Sequence, residues 1–476
     1  MIGREKEQKE LLRRYRGDQA EFIAVYGRRR VGKTFLIDET FRDKITFRHA
    51  GLSPVEGNKS GQTRDQLEQF YYSLLRYGMK KSHRPATWLE AFYMLETLLQ
   101  EKDDGSRQVV FLDELPWLDT PRSGFITALE GFWNNWCCNR HNLMLIVCGS
   151  ASSWILDKLI NNHGGLYGRI THEIKLAPLN LRECEALFRE KDIQLSRYDV
   201  TQSYMILGGI PYYLGYFEPG LSLAQNIDRL FFEKQAKLKD EYTRLFTSVF
   251  DSPEYMKRLV EWLAGRNKGY TRKEIVGSGL FSEGSKLTDA LRALIAGDFI
   301  VRYVPFGASG HDVHYKLIDP FCIFWLRFLS VPKDTSSNFW QSIQESPRAN
   351  TWNGLAFELV CFNHVDQIKA KLGISGIRTN ESAWTLSGGE NGGGQIDLLL
   401  DRADNVINAC EIKFSAKPYA VNKEYYHLLL HRHELLRDSV PRRKTILNTL
   451  ISTFGLVYNE YSGIFSGVVT MDDLFA

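Results

Sequence analysis

A nine-residue segment near the N-terminus constrains the fold more than any other part of the sequence. Residues 26–34 read Tyr-Gly-Arg-Arg-Arg-Val-Gly-Lys-Thr and match G-x-x-x-x-G-K-[ST] in full. The apolar run Phe22–Tyr26 predicts a buried strand before the loop, and Phe35–Ile37 predicts a helix after it. Because strand, loop and helix agree, we interpret the segment as a phosphate-binding loop (P-loop) rather than a chance glycine-rich turn.

Each part of this loop has an expected role toward a nucleoside triphosphate. Glycines let the backbone curl so that its N–H groups point at phosphate oxygens, at the positive end of the following helix. The lysine should reach the β- and γ-phosphates, and the threonine hydroxyl should be a ligand of Mg²⁺. We therefore expect ATP and Mg²⁺ as ligands. The predicted nucleotide-binding residues are Gly27, Arg28, Arg29, Arg30, Val31, Gly32, Lys33 and Thr34.

A second apolar run ends in a pair of acids. Val109–Leu112 is followed by Asp113 and Glu114, as in a buried parallel strand with carboxylates at its C-terminal end. Ligands of open α/β sheets bind at that edge. We predict that Asp113 holds Mg²⁺ through water and that Glu114 orients or deprotonates the attacking water.

Two further polar residues have more than one possible role. Ser150 follows the strand-like run Leu143–Cys148. It could sense the γ-phosphate or hold the water, or it could cap the helix that follows. Arg169, in the loop before the strand-like segment Glu173–Leu176, is a candidate arginine finger or sensor. A solvated loop arginine is the alternative.

Composition sets broad limits on the class of protein. A length of 476 residues suggests about three domains. The hydrophobic share of 43%, the charged share of 25% and the net charge of +3 are those of an ordinary globular protein, and do not by themselves indicate nucleic acid. Seven scattered cysteines predict reduced thiols. With no signal-peptide pattern and no apolar run of about 18 residues, we expect a cytoplasmic protein without a membrane partner.

Residues 1–180 resemble the archaeal-type AAA ATPases, which are related to the STAND and origin-recognition branches of the P-loop superfamily. The resemblance rests on Ile2–Glu5, the P-loop, Leu112–Glu114 and Gly168-Arg169. It implies a P-loop NTPase parallel sheet at residues 1–180 and a helical lid at residues 181–250. By the same resemblance the Gly-x-Pro turn within Leu207–Tyr213 places Pro211 near the adenine base, with Gly3 and Arg4 near the same pocket.

Residues 251–330 are predicted to form a winged helix, from three short helices and two alternating strands. Between residues 255 and 303 the sequence contains nine basic and five acidic residues, and this excess of positive charge suits a DNA backbone. The third helix should present Lys286, Asp289 and Arg292 outward, a set that predicts weak sequence preference. A winged helix that contacts protein is the alternative. The cations are Lys257, Arg258, Arg266, Lys268, Arg272, Lys273, Lys286, Arg292 and Arg302, and the acids are Glu261, Glu274, Glu283, Asp289 and Asp298.

A polar linker at residues 331–338 leads to a C-terminal domain, residues 340–476. Gly354–Val360 is interpreted as the start of a helix that contains one acid able to face inward, Glu358. A glycine-rich turn at residues 388–394 precedes a hairpin in which Asp397 can face Glu411. Lys413 shares a strand face with Glu411. Two carboxylates and a lysine can hold a divalent cation, activate water and neutralise a phosphodiester.

This pattern resembles the PD-(D/E)xK, or restriction-endonuclease-like, superfamily, and specifically the domain attached to archaeal-type ATPases. The resemblance implies that Asp397 and Glu411 are metal ligands, that Lys413 is the catalytic lysine and that Glu358 is the helix acid. Ile396 stands where the family has proline. The alternatives are a hairpin with a solvated charged edge and a domain of this fold that binds DNA without cutting it.

The sequence therefore predicts an α/β multidomain protein with a P-loop ATPase core, a helical lid, a winged helix and a restriction-endonuclease-like domain. We expect Mg-dependent ATP hydrolysis and action on DNA, with homo-oligomer formation if Arg169 acts across subunits. The alternative function is a signalling or regulatory switch ATPase whose C-terminal domains contact proteins and cut nothing.

Overall fold

The computed structural model of the protein describes residues 1–53, 62–161, 164–250, 252–308, 310, 312–330, 337–389 and 392–476. The described residues divide into two compact units. The first contains Met1–Pro178, Thr243–Met256 and Asp289–Asp298, and the second contains Leu179–Tyr242, Lys257–Thr288 and Phe299–Ala476. Parts of the predicted linker (331–336), of the glycine-rich turn (390 and 391) and of the wing loop (309 and 311) lie outside the described residues.

The first unit contains a five-stranded parallel sheet in the order β2-β3-β4-β1-β5. Every residue of β3 and β4 is buried, as expected for central strands covered on both faces. This confirms the predicted α/β fold with a parallel sheet. The strands are β1 Glu21–Tyr26, β2 Ile45–Ala50, β3 Gln108–Asp113, β4 Leu143–Gly149 and β5 His172–Lys175.

Aromatic side chains fill the core beneath one face of this sheet. Trp88, Phe92 and Phe125 are buried together, with 4.9 Å between the ring centroids of Trp88 and Phe125. Such edge-to-face pairs add about 1 kcal/mol beyond the burial of their area. The helices are α1 Glu5–Tyr15, α2 Lys33–Phe41, α3 Gln62–Arg76, α4 Trp88–Glu101, α5 Phe125–Asn135 and α6 Ser152–Ile155, which continues as a π turn over Leu156–Ile160.

The regular elements of the predicted lid region, residues 181–250, are all helices. Capping boxes start three of its helices, at Asn180, Ser196 and Ser222, because each side chain accepts a hydrogen bond from a backbone N–H three residues later. The helices are α7 Leu181–Glu190, α8 Arg197–Leu207, α9 Pro211–Leu214, α10 Leu223–Phe231 and α11 Glu241–Val249. Residues 179–242 belong to the second compact unit.

The predicted winged-helix region contains three helices and a small antiparallel sheet in the order β6-β8-β7. The sequence predicts Thr271 and Ser285 as the caps of two of these helices. Thr271 does cap α13. Ser285 is the first residue of α14, so that prediction is wrong. The elements are α12 Pro253–Leu263, β6 Tyr270–Thr271, α13 Arg272–Gly277, α14 Ser285–Ala296, β7 Ile300–Tyr303, β8 His314–Leu317 and α15 Pro320–Phe328.

The C-terminal part of the second unit contains a mixed sheet in the order β13-β12-β11-β10-β9. β10 is antiparallel to both of its neighbours, whereas β11, β12 and β13 are mutually parallel. The elements are α16 Phe339–Ile343, α17 Pro347–Asn363, α18 Val365–Lys371, β9 Thr379–Gly389, β10 Gly392–Arg402, β11 Val406–Lys413, α19 Lys423–Ser439, β12 Thr445–Ser452 and β13 Gly467–Thr470.

The helix that contains Glu358 is longer than the sequence pattern indicated. α17 begins at Pro347, seven residues before the predicted start at Gly354. The Ser346 hydroxyl accepts a hydrogen bond from the backbone N–H of Ala349, and a proline at the first helical position loses no intrahelical hydrogen bond. The predicted start at Gly354 is therefore wrong.

Within the described ranges, no helix combines the length and the apolar character needed to cross a bilayer.

Candidate functional site

The loop between β1 and α2 has a backbone that requires glycine at its first position. Gly27 has φ +141°, and a Cβ added there would lie 2.4 Å from the carbonyl oxygen of Leu176. Gly32 and Arg30 also have positive φ, at +94° and +72°. The side chains of Arg28 and Val31 are buried. Because the side chains of Arg28 and Val31 are buried, the loop backbone is the part of these residues that a phosphate could contact.

Lys33 is buried at the start of α2, and its ammonium is held inside the loop. Its Nζ donates to the carbonyl oxygens of Gly27 and Arg28, both at 3.1 Å, and to Ser150 Oγ at 3.3 Å. Burial lowers the pKa of Lys33, and the nearby carboxylate of Glu114 opposes that shift. The ammonium is therefore positioned where phosphate oxygens could replace the two carbonyl acceptors.

Asp113 lies at the end of β3, beside the start of α2. Its Oδ2 accepts a hydrogen bond from Thr34 Oγ1 at 2.9 Å. Its Oδ1 accepts from the backbone N–H of Glu114 at 2.9 Å and from Cys148 Sγ at 2.6 Å. Burial raises the pKa of the Cys148 thiol well above its usual range, so the thiol stays protonated and remains a donor. The hydroxyl and carboxylate of Thr34 and Asp113 fit Mg²⁺, which takes few protein oxygens beside phosphate and water.

Glu114 follows Asp113 in a left-handed backbone conformation, with φ +45°. Its Oε1 accepts from Ser150 Oγ at 2.8 Å and its Oε2 from the Ser150 backbone N–H at 3.1 Å. Ser150 thus joins Lys33 to Glu114. It does not cap the next helix, because Ala151 is at the N-cap of α6, so that alternative is wrong.

Three residues that the family resemblance associated with the nucleotide have different surroundings. Arg4 is buried and donates to the carbonyl oxygens of Val31, at 3.1 Å, and Ala177, at 2.8 Å. It therefore holds the end of the P-loop to the chain that follows β5. Arg169 is exposed in a turn, and Pro211 opens α9 in the second unit. The roles of Arg169 and Pro211 stay predictions.

The second unit brings the three predicted acids of the C-terminal region close enough to affect one another. Leu398 pairs with Cys410 across β10 and β11, so Asp397 and Glu411 are the next opposed residues. Burial raises the pKa of Asp397, and the charge of Glu411 raises it further. Burial, and then the charge of Asp397, raise the pKa of Glu358 to about 7.

This arrangement is not a complete ring of metal ligands. Among the described residues, no three His, Cys, Asp or Glu side chains are close enough together to hold one metal ion. Asp397 and Glu411 do provide carboxylate oxygens, which Mg²⁺ and Mn²⁺ prefer. Buried acids that repel each other are stabilised by a cation between them, so the donor set fits a divalent ion with water completing its shell.

Glu411 already contacts three hydrogen-bond donors. Lys413 Nζ lies 2.8 Å from Oε1, Arg432 Nη1 donates to Oε2 at 3.0 Å, and the Tyr425 hydroxyl also bonds Oε1. Arg432 and Tyr425 were not among the residues predicted from the sequence. The available signal was their spacing on α19, where they lie on one stripe with the buried Leu429 and Leu436.

Several cations of the predicted winged helix are paired with acids of this chain. Arg266 bonds Glu274 at 2.7 Å, and Arg272 bonds Glu283. Arg292 lies 3.4 Å from Asp157, an acid outside the predicted winged helix. Lys286, Asp289 and Arg292 are exposed on α14, as predicted. The positive charge available to an outside ligand is therefore smaller than a count of residues suggests.

Comparisons with known proteins support an ATPase domain in the N-terminal part of the chain. Residues 1–217 match a family model described as an ATPase domain predominantly from Archaea. An uncharacterized protein of Methanocaldococcus jannaschii, MJECL04, is 26% identical over 330 residues, which cover 69% of this chain and 68% of that protein.

Two solved structures are similar to this chain at low sequence identity. The Walker-type ATPase PABY2304 of Pyrococcus abyssi is 19% identical with a TM-score of 0.47, and the match covers 69% of this chain and 96% of that one. The ORC2 protein of Aeropyrum pernix, in ADPNP–ADP complexes, is 13% identical with a TM-score of 0.39, over 77% and 96%.

Proposed function

Starting from an archaeal-type ATPase domain at residues 1–217, we propose a Mg-dependent ATPase that acts on DNA. In this proposal residues 251–330 form a winged helix that binds DNA, and residues 340–476 form a nuclease-like domain. ATP hydrolysis changes the state or assembly of the protein, so that the C-terminal domain is positioned on its substrate.

The observation that supports the ATPase step most strongly is that hydrogen bonds connect the P-loop to both acids at the end of β3. Thr34 bonds Asp113, and Lys33 bonds Ser150, which bonds Glu114. When bound, Mg²⁺ would neutralise phosphate charge, and Thr34 and Asp113 would hold it. Lys33 would exchange its two carbonyl acceptors for phosphate oxygens. Glu114, oriented by Ser150, would align the attacking water and accept its proton.

The nuclease part of the proposal is supported by the opposed positions of Asp397 and Glu411. These carboxylates would hold a divalent cation that, when bound, activates water. Lys413 would leave Glu411 and neutralise charge on the scissile phosphate. Glu358, on α17, adds a third acid.

A specific observation favours the switch ATPase as a second candidate. Glu411 is already neutralised by Lys413 and Arg432, and Arg266, Arg272 and Arg292 are paired with acids. A region whose charges are internally satisfied suits protein contacts as well as DNA.

Nicking of supercoiled plasmid by the full chain separates the two candidates. We expect nicking with Mg²⁺ or Mn²⁺, and its loss in Asp397→Ala and Lys413→Ala because the former removes a ligand and the latter the neutralising charge. Asp404→Asn, which changes an exposed acid of the neighbouring turn, should nick like the wild type. Absence of nicking with either metal, with and without ATP, would contradict the nuclease proposal and favour the switch.

A further inference from the structure

Two side chains from the region before the C-terminal domain reach its acidic site. Asn267 lies in the turn before β6, and its Nδ2 donates to Glu358 Oε2 at 2.9 Å. Lys316 is on β8, and its Nζ lies 5.4 Å from the centroid of the Phe362 ring. Both contacts are made to α17, the helix that contributes the third acid.

The position of Phe362 locates the Lys316 ammonium relative to the acids. Residues four apart on a helix share a face, so Phe362 and Glu358 lie one turn apart on the same side of α17. The carboxylates of Glu358 and Asp397 both act electrostatically on Lys316, and they oppose the fall in its pKa that burial causes. The ammonium therefore lies along the carboxylate face of α17.

Asn267 and Lys316 belong to one packed element. Tyr270 pairs with Tyr315 between β6 and β8. Gly269 has φ +71°, and a Cβ there would lie 2.3 Å from the Tyr315 carbonyl oxygen and 2.9 Å from Lys316 Cα. The backbones are therefore in close contact, and the Asn267 turn and the Lys316 strand pack as one element.

We propose that this element gates cation binding at the acidic site: the Lys316 ammonium and the Asn267 amide occupy the place of a divalent cation beside Glu358 and Asp397. A divalent cation binds there only when the two side chains withdraw. This inference rests on the proposed function for the site and names its regulation.

Electrostatics gives the direction of the effect. Buried carboxylates repel one another unless a positive charge lies among them, and Lys316 supplies one such charge from outside the hairpin. A divalent ion placed beside the ammonium would be repelled by it, so the two cations compete for the same acids. Removing the lysine charge should therefore strengthen metal binding. A lysine that only completed the packing of α17 would not have this effect.

Calorimetric titration of the full chain with Mn²⁺, without nucleotide, tests the gate. Every protein would contain Asp113→Ala, so that the first unit loses its own predicted metal ligand. We expect Lys316→Met to bind Mn²⁺ about tenfold more tightly than the parent, within the usual range of coupling between competing ligands. Lys316→Arg keeps the charge and should match the parent. Lys444→Met, which removes a lysine paired with Asp401 on the same sheet, should also match it.

A second variant tests the gate independently if Lys316→Met does not fold. Asn267→Ala removes the hydrogen bond to Glu358 from a half-buried turn position, and should also tighten Mn²⁺ binding. If Lys316→Met and Asn267→Ala both bind Mn²⁺ as the parent does, or more weakly, the gate is wrong while the metal site remains. If neither they nor the parent binds Mn²⁺, or if binding survives Asp397→Ala, the metal site and the proposed nuclease function are wrong.

Discussion

Both oxygens of the Asp113 carboxylate accept hydrogen bonds within the first unit. Thr34 contacts one oxygen, and Cys148 and the Glu114 backbone contact the other. A buried thiol beside a predicted magnesium ligand acts as a positioning group, since it fixes which carboxylate oxygen is turned toward Thr34.

Cys148→Ala should weaken the response of ATP hydrolysis to Mg²⁺. Loss of one buried hydrogen bond to a carboxylate is worth about 1–3 kcal/mol, so the half-maximal Mg²⁺ concentration should rise about fivefold or more. Cys148→Ser should restore most of the response, because a hydroxyl also donates. Cys137→Ala removes another buried thiol of the same unit and is the matched control. Equal Mg²⁺ responses in Cys148→Ala and Cys137→Ala would contradict the positioning role.

At the residue level, the sequence predicts the motif residues but not the residues that contact them. Thr34 and Asp113 can both be predicted to hold Mg²⁺, because a P-loop and an acidic strand end have known mutual positions. Cys148 is indistinguishable in sequence from any apolar strand residue. Arg432 could be connected to Glu411 only by the packing of α19 on the sheet, which one sequence does not specify.

Among the elements, the strands of the first unit were easier to predict than the helix starts. β1, β3 and β4 are continuous apolar runs bounded by polar residues, which is the pattern of buried parallel strands. α17 was placed too late because its apolar residues begin several positions after its cap. The Ser346-Pro347 pair, a cap residue followed by proline, is the sequence signal for the observed start of α17.

The proposed DNA binding depends most directly on α14. Lys286→Ala with Arg292→Ala should weaken DNA binding across sequences and reduce the slope of log affinity against log salt by about 2, because two phosphate contacts are lost. Filter binding or fluorescence anisotropy at several salt concentrations measures this. Lys80→Ala with Lys81→Ala removes two exposed cations elsewhere and should leave the slope unchanged. An unchanged slope in the α14 variant would argue against DNA contact through this helix.

For the whole molecule, sequence order and compact units do not coincide. Residues 243–256 and 289–298 join the first unit, whereas the helices at residues 179–242 join the second. The predicted boundaries followed motifs and composition along the chain. Such signals cannot show that separated segments pack together, because that depends on contacts formed only in the folded protein.

We propose that the P-loop and the acidic end of β3 form a site that hydrolyses ATP. In this proposal Lys33 binds phosphate and Glu114 aligns water, so their roles can be separated. Lys33→Ala should therefore abolish tight ATP binding. Glu68→Gln, at a half-buried position of α3, provides a control for the loss of one negative charge.

The most direct test is to measure ATP binding and steady-state hydrolysis on the same preparations of wild type and Glu114→Gln. We expect Glu114→Gln to bind ATP about as tightly as the wild type. It should hydrolyse ATP at least about 100-fold more slowly, which is the usual loss when a general base is removed. Hydrolysis by Glu114→Gln at the wild-type rate would contradict the assignment of Glu114 and the proposed mechanism.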